Sequence, residues 1–227
     1  MTAQQWKSGR QAAGLTQVQA ARALGVSQPY LSQLEKGTRP GIAALVLKAA
    51  DIYKLPPTAL PLPSSEDLRE ADEDDVFEDL AALGYPGFAY LGSDRKSNPA
   101  HVVLSAVLRA NLNVRAVEGL PWILSTYTDL DWSWLRDNAK LRNVQNRVGY
   151  LVHLAKGVPS AEPAVPILSV WERDLEEARL AHEDTLCRAS MVPMEREWLR
   201  EHRPDAAKHW NLLTRIVPEH LWYATHC

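Results

Sequence analysis

The stretch LGVSQPYLSQLEKGTRP, residues 24–40, places short polar side chains at helical spacing: Ser27, Gln28, Ser32 and Gln33. Polar residues of short reach on an exposed helix face are either solvated or there to form hydrogen bonds. A glutamine amide can pair bidentately with adenine N6 and N7, and a serine hydroxyl can bond several base edges. Side chains this short let a helix approach a groove closely. Lys36 and Arg39 follow directly and can neutralise phosphates. A helical hairpin that used Gly25 only as a turn would explain the glycine. It would not explain a glutamine (Gln17) opening one helix, polar residues opening the next and basic residues just after it.

Other candidates for chemistry are weaker. His182-Glu183-Asp184, in LAHEDTLCR, invites an acid–base or metal reading with Cys187 nearby. Helical spacing sets His182 against Leu186 and not against a second ligand, and no HExxH or HxxxE set is present. His202 and His209 are separated by Pro204, and His220 and His226 lie near the end of the sequence. The phosphate loop GxxxxGK[ST] and the dinucleotide fingerprint GxGxxG are both absent. Cys187 and Cys227 form no CxxC pair, so neither a zinc site nor a disulfide framework is expected. The expectation is a non-enzyme with no catalytic residue, metal or cofactor.

The elements that must position the polar set are short helices. Gly14 ends a first one, from about Ala3 to Ala13, and Thr16 is a good N-cap for a second running to Leu24. Gly25 supplies a positive φ, and Val26 turns inward. Ser27 caps a third helix that ends at Gly37, with Pro29 in its first turn, where a missing N–H costs nothing. A fourth runs from about Ile42 to Tyr53, before Pro56 and Pro57.

Charge divides the chain. The net charge is −3, yet residues 1–60 hold seven Lys and Arg against Glu35 and Asp51, and residues 61–80 hold nine acids against Arg69. A basic head on an acidic chain suits one part that meets a polyanion. Prolines followed by acids mark residues 61–75 as a linker. Residues 76–227 carry apolar positions at helical spacing, such as Leu141, Val144, Val148 and Leu151. Seven tryptophans (122, 132, 134, 171, 198, 210 and 222) fall in this region and read as core or subunit interface. Within residues 129–155, Asp131 or Ser133 can cap a helix. Arg142, Asn143, Gln145, Asn146 and Arg147 then cluster as a polar patch, expected to be a solvated face or, in the alternative, a surface for a partner. No run is long enough to span a membrane and MTAQQWKSGR has no signal-peptide core, so a cytoplasmic location is expected.

Residues 5–60, with the motif GLTQVQAARALGVSQPYLSQLEKGTRP, resemble the helix-turn-helix domain of phage-repressor-like (Xre-type) regulators. The resemblance implies a five-helix lambda-repressor-like domain at residues 1–60; with the helical spacing beyond it, the expected fold is all-α, with a larger helical dimerisation or partner-binding domain at residues 76–227. The resemblance implies that Gln17 binds a phosphate and braces the recognition helix. Gln28, Pro29, Ser32 and Gln33 would face base edges with Tyr30 alongside, Ser27 would belong to the DNA-binding set, and Lys36, Thr38 and Arg39 would hold the backbone. It also pairs Arg10 with Glu35. The chain departs from the pattern at Gly9 and Ala20, where the family has larger aliphatic residues, so a light core is expected. Pro29 replaces a polar reader, which shifts the expected specificity onto Gln28 and Gln33.

One such domain makes few phosphate contacts, so useful affinity calls for a homodimer on a pseudo-palindromic operator, its recognition helices about 34 Å apart. The expected function is a dimeric transcriptional repressor. The C-terminal region also faintly resembles regulators encoded beside nucleotidyltransferase-type toxins. The alternative is therefore an antitoxin that represses its own operon and neutralises a toxin partner.

Overall fold

The structure, a computed structural model, describes residues 1–221 and 223. Trp222, His226 and Cys227, named above, lie outside the described residues. The fold is all-α, and among the described residues the only paired strands are two residues long. The chain forms two compact units: Met1–Leu62 with Lys96–Asn98, and Pro63–Arg95 with Pro99 onward.

The first unit holds α1 (Ala3–Ala12), α2 (Gln17–Leu24), α3 (Gln28–Lys36) and α4 (Ala43–Tyr53). Each of the first three starts on a side-chain cap. Thr2 with Gln5 and Thr16 with Gln19 form capping boxes, and the Ser27 hydroxyl accepts the Tyr30 N–H. Gly25 (φ 75°) and Gly37 (φ 72°) end α2 and α3 in the left-handed region that a side chain disfavours. The fifth helix is a single 3-10 turn, Pro57–Ala59, because Pro61 disfavours the helical region for the residue before it, and Leu60 is extended (ψ 150°). The core is Trp6, Leu24, Leu31, Leu34, Val46 and Tyr53. It is not light at Gly9. A Cβ there would sit 2.8 Å from Leu55 Cδ2 and 3.2 Å from the Tyr53 ring, so those two side chains fill the space that a larger residue would take.

The second unit holds α5 (Glu73–Ala82), α6 (Pro99–Val107), α7 (Val114–Thr126), α8 (Trp132–Leu141), α9 (Gln145–Lys156), α10 (Val165–Glu177), α11 (Pro193–His202) and the short α12 (Asp205–His209). Asp131 caps α8 by accepting the Trp134 N–H. Helix α9 is the centre, packed by α6, α7, α8, α10 and α12. It is buried continuously from Gln145 to Val152. The polar patch expected at 142–147 is therefore not a solvated face beyond Asn143. Gln145 donates to the Ala178 carbonyl (3.0 Å). Asn146 donates to the carbonyls of Leu180 and Trp210 (2.9 Å each) and accepts the Leu180 N–H. Arg147 grips Asp184 with two nitrogens (2.6 and 2.9 Å) and donates to the carbonyls of Val107 and Arg109. These bonds anchor the irregular chain after α10, including β1 (Asp184–Thr185), which pairs in parallel with β2 (Leu212–Leu213).

The stretch read as a linker is tied to this unit from residue 63. Leu68 is fully buried, Trp134 donates to the Pro63 carbonyl, Ser65 bonds Asn138, and the Ala71 N–H donates to Ser105. Its acids stay outside while one leucine and its backbone are held. Trp132 stacks on Trp171 (5.7 Å, 11° between planes) and Trp210 lies buried against Gly149, whereas Trp198 is largely exposed.

A Cβ on Gly149 would meet the Trp210 ring at 2.2 Å. A rigid aromatic cannot give way cheaply, so Gly149→Ala should destabilise the second unit by about 1–3 kcal/mol through overpacking. Urea unfolding followed by tryptophan fluorescence measures this. An unchanged midpoint would place Trp210 elsewhere.

Candidate nucleic-acid interface

The first unit is organised around one carboxylate. Glu35, on α3, receives Arg10 Nε from α1 at 2.5 Å on Oε1 and Arg10 Nη2 at 3.1 Å on Oε2. Gln17, the first residue of α2, donates its amide to the same Oε2 at 2.8 Å. The Gln17 oxygen then accepts the amide of Gln28, the first residue of α3, at 2.7 Å. Arg10 Nη1 finishes at the Leu15 carbonyl (2.7 Å), which pins the turn before α2. Three helices and the loop between two of them are thus fixed by a single acid. Its side chain is only 4% exposed and that of Arg10 11%. Burial pushes the Glu35 carboxyl up. The hydrogen bonds from Arg10 and Gln17, with the Arg10 charge, outweigh burial and hold it below its usual range.

Residues 7–62 match the helix-turn-helix domain family. The first unit is a helix-turn-helix domain. Beyond it the likeness to known proteins is partial. A propionyl-CoA carboxylase regulator of Cereibacter sphaeroides is 36% identical over 108 residues, a stretch that covers 41% of this chain and 23% of that protein. The chain thus spans under a quarter of that relative's length. No solved structure matches the chain at a comparable level.

In the helix-turn-helix domain, Ser27, Gln28, Pro29, Gln33, Lys36, Thr38 and Arg39 are exposed, and Tyr30 and Ser32 are half-buried. Gln28 uses one N–H on Gln17. Its oxygen and second N–H make no bond within the domain, and one donor plus one acceptor is what a bidentate adenine contact requires. The Ser27 hydroxyl accepts at the N-cap but keeps its own hydrogen to donate. Pro29 offers only contact surface. Gln17 sits between two residues of α3, a position that braces the helix. The Arg39 guanidinium lies over the Tyr30 ring (4.9 Å), and Thr38 Oγ1 donates to the Gln33 carbonyl (3.2 Å), so both residues after Gly37 fold back on α3. Lys48, to which the sequence assigned no role, donates its amine to the Leu24 carbonyl (2.9 Å) and caps α2 at the turn. Twenty-four positions separate the two, and no local signal links them.

The acid–base candidates of the second unit are held in structural bonds. Asp184 is taken by Arg147 and Glu183 by Arg200, while His182 is exposed. The Cys187 thiol is buried and pushed up to about 11, which leaves it unionised at neutral pH. Among the described residues no group of three metal-ligating side chains is assembled, and no helix is long and apolar enough to cross a membrane.

Removing one partner of the Arg10–Glu35 pair should cost about 3–5 kcal/mol, because a buried charge is left uncompensated. The double replacement R10M/E35L should be milder than the sum. The contribution of Glu35 has a defined pH window. Its folded value is depressed, so its stabilisation is complete above the ordinary carboxylate value of 4.5 and disappears as pH falls through the lower folded value. Thermal unfolding of the natural chain and E35Q should therefore differ at pH 7, and the gap should narrow as pH falls below 4.5. A gap that persists or widens in acid would contradict the assignment.

Proposed function

We propose that this protein is a sequence-specific DNA-binding transcriptional regulator of the Xre type, acting as a dimeric repressor on a pseudo-palindromic operator. One observation carries the reading: the Gln28 amide, fixed by Gln17 and through it by the Glu35 hub, keeps an unused donor and acceptor at the start of α3. An amide held in this way loses little side-chain freedom on meeting a base edge, so more of the contact remains as affinity. The exposed Gln33 lies further along α3, and Lys36 and Arg39 supply positive charge beyond it. The name of the relative, a regulator, agrees with this function. We assign the protein no catalytic role. An antitoxin would require a toxin-binding surface in the second unit as well, and regulation alone requires none.

The cognate site can be selected from random duplexes and binding followed by fluorescence anisotropy. Q28A and Q33A should each lose about 1–3 kcal/mol on that site and relax its sequence preference. R39A should weaken cognate and random duplexes alike and reduce the salt slope by about one. If both glutamine variants bind the selected site as tightly as the natural chain, the reading face lies elsewhere. Sedimentation equilibrium of the full chain tests the assembly separately: a dimer at micromolar concentration is expected, and a monomer both free and on the selected site would remove it.

A further inference from the structure

We propose that the second unit contains a binding site for a small organic cation with an apolar body, seated against Glu118. The site is a cavity of about 820 Å³, a size that accepts a drug-sized molecule. Its walls come from α7, the strand segments around β1 and β2, and α11. Leu112, Val117, Leu186, Met191, Leu213 and Ile216 give it an apolar side, and polar and charged side chains line the rest.

The cavity wall is set by the backbone. Cys187 lies in the left-handed region (φ 53°), which costs a residue with a side chain energy unless its surroundings impose it. Here they do: its carbonyl accepts the Leu112 N–H (2.9 Å) and its N–H donates to Thr185 (3.0 Å). The next turn is clamped as Ala189 N–H donates to Ala110 (2.9 Å) and Ser190 N–H to Asn111 Oδ1 (2.8 Å). A wall held in this way is open before any ligand arrives, so binding need not carry the cost of ordering it.

The charges on the wall select the ligand. Arg188 is paired with Glu195 at 2.8 Å. Arg215 lies over the Trp198 ring at 5.0 Å, whose other stacking neighbour is His202 at 4.3 Å. Glu73 accepts the Asn113 N–H. Glu118, half-buried on α7, has neither hydrogen bond nor ion pair among the described residues, although Arg115 and His220 lie close enough to act on it through their charge. Burial raises the affinity of this carboxyl for a proton. An unbonded acid on an apolar wall gains most from a donor that also carries positive charge. An ammonium group with a hydrocarbon body supplies both that donor and the apolar surface to fill the cavity. An anion would meet the Glu118 charge, and of the two arginines on the wall Arg188 is already neutralised by Glu195 while Arg215, without a carboxylate partner among the described residues, is held over the Trp198 ring.

The test uses the full chain without DNA, so its outcome is independent of the regulator function proposed above. Octylamine, octanoate and 1-octanol share one hydrocarbon body and differ in charge, and each is titrated calorimetrically at pH 7.5. Octylamine should bind in the micromolar to low-millimolar range and tighter than the other two. Glu118→Gln keeps the shape and removes the charge. Because the fold disfavours the ionised carboxyl, this variant should melt no lower than the natural chain, which a thermal scan verifies. It should bind octylamine about tenfold more weakly or worse, the effect of one charge-assisted bond, and leave 1-octanol unchanged. Octanoate binding as well as octylamine, E118Q retaining full octylamine affinity, or no heat with octylamine up to millimolar concentration would each overturn the site.

Discussion

The carboxylate of Glu35 is the constraint on which the helix-turn-helix domain depends. A domain of some sixty residues buries little apolar surface per residue, so helix placement by packing alone is loose. Glu35 supplies direction. It collects donors from α1 and α2 onto α3, and the Gln17 amide passes the restraint on to Gln28. The acid stands alone within an otherwise basic motif because its task is internal. A carboxylate exposed on the same helix would repel phosphate, whereas this one is 4% exposed and neutralised by Arg10.

The second unit solves a related problem by other means. Helix α9 is buried along most of its length, so unpartnered polar groups in its first turn are costly. The amide N–H groups of Gln145 and Asn146 and the Arg147 guanidinium bond backbone carbonyls and Asp184, while Gln145 Oε1 alone of this set accepts no hydrogen bond. In doing so they fasten the irregular chain between α10 and α11 to the core. That chain includes Leu186 and Cys187, which form part of the cavity wall. The buried polar cluster and the cavity wall are thus consecutive parts of one segment, tied to α9 at one end and to residues 110–112 at the other.

Charge segregation along the chain follows the same division. Basic residues of the first sixty are exposed apart from Arg10, which serves Glu35, although the exposed Lys48 also turns its amine onto the Leu24 carbonyl. The acids after residue 61 open α5 or stay in solvent, where the positive end of a helix favours them: Glu73, Asp74 and Asp75 lie in its first turn. Arg95 then bonds Asp75 and Asp79 from the far side of the following loop.

By itself the sequence determined what is local. Thr16, Gly25, Ser27 and Gly37 mark helix ends through caps and left-handed turns, and those signals act over three or four residues whatever surrounds them. The all-helical class and the outward polar face of α3 were legible for the same reason, as a 3.6-residue period belongs to the segment that carries it. Tertiary structure decided what depends on neighbours far along the chain. Nothing local distinguishes Gln145-Asn146-Arg147 on a wet surface from the same residues in a core, because their partners lie at 178, 180, 184 and 210. The gap at Gly9 was closed by Tyr53 and Leu55, and Leu68 was drawn inward from a stretch whose composition spoke for solvent. The Gln17–Gln28 link and the unbonded Glu118 likewise exist only once helices are packed. Whether a polar side chain is solvated, bonded or left unbonded is settled by which distant backbone reaches it, and a one-dimensional pattern does not record that distance.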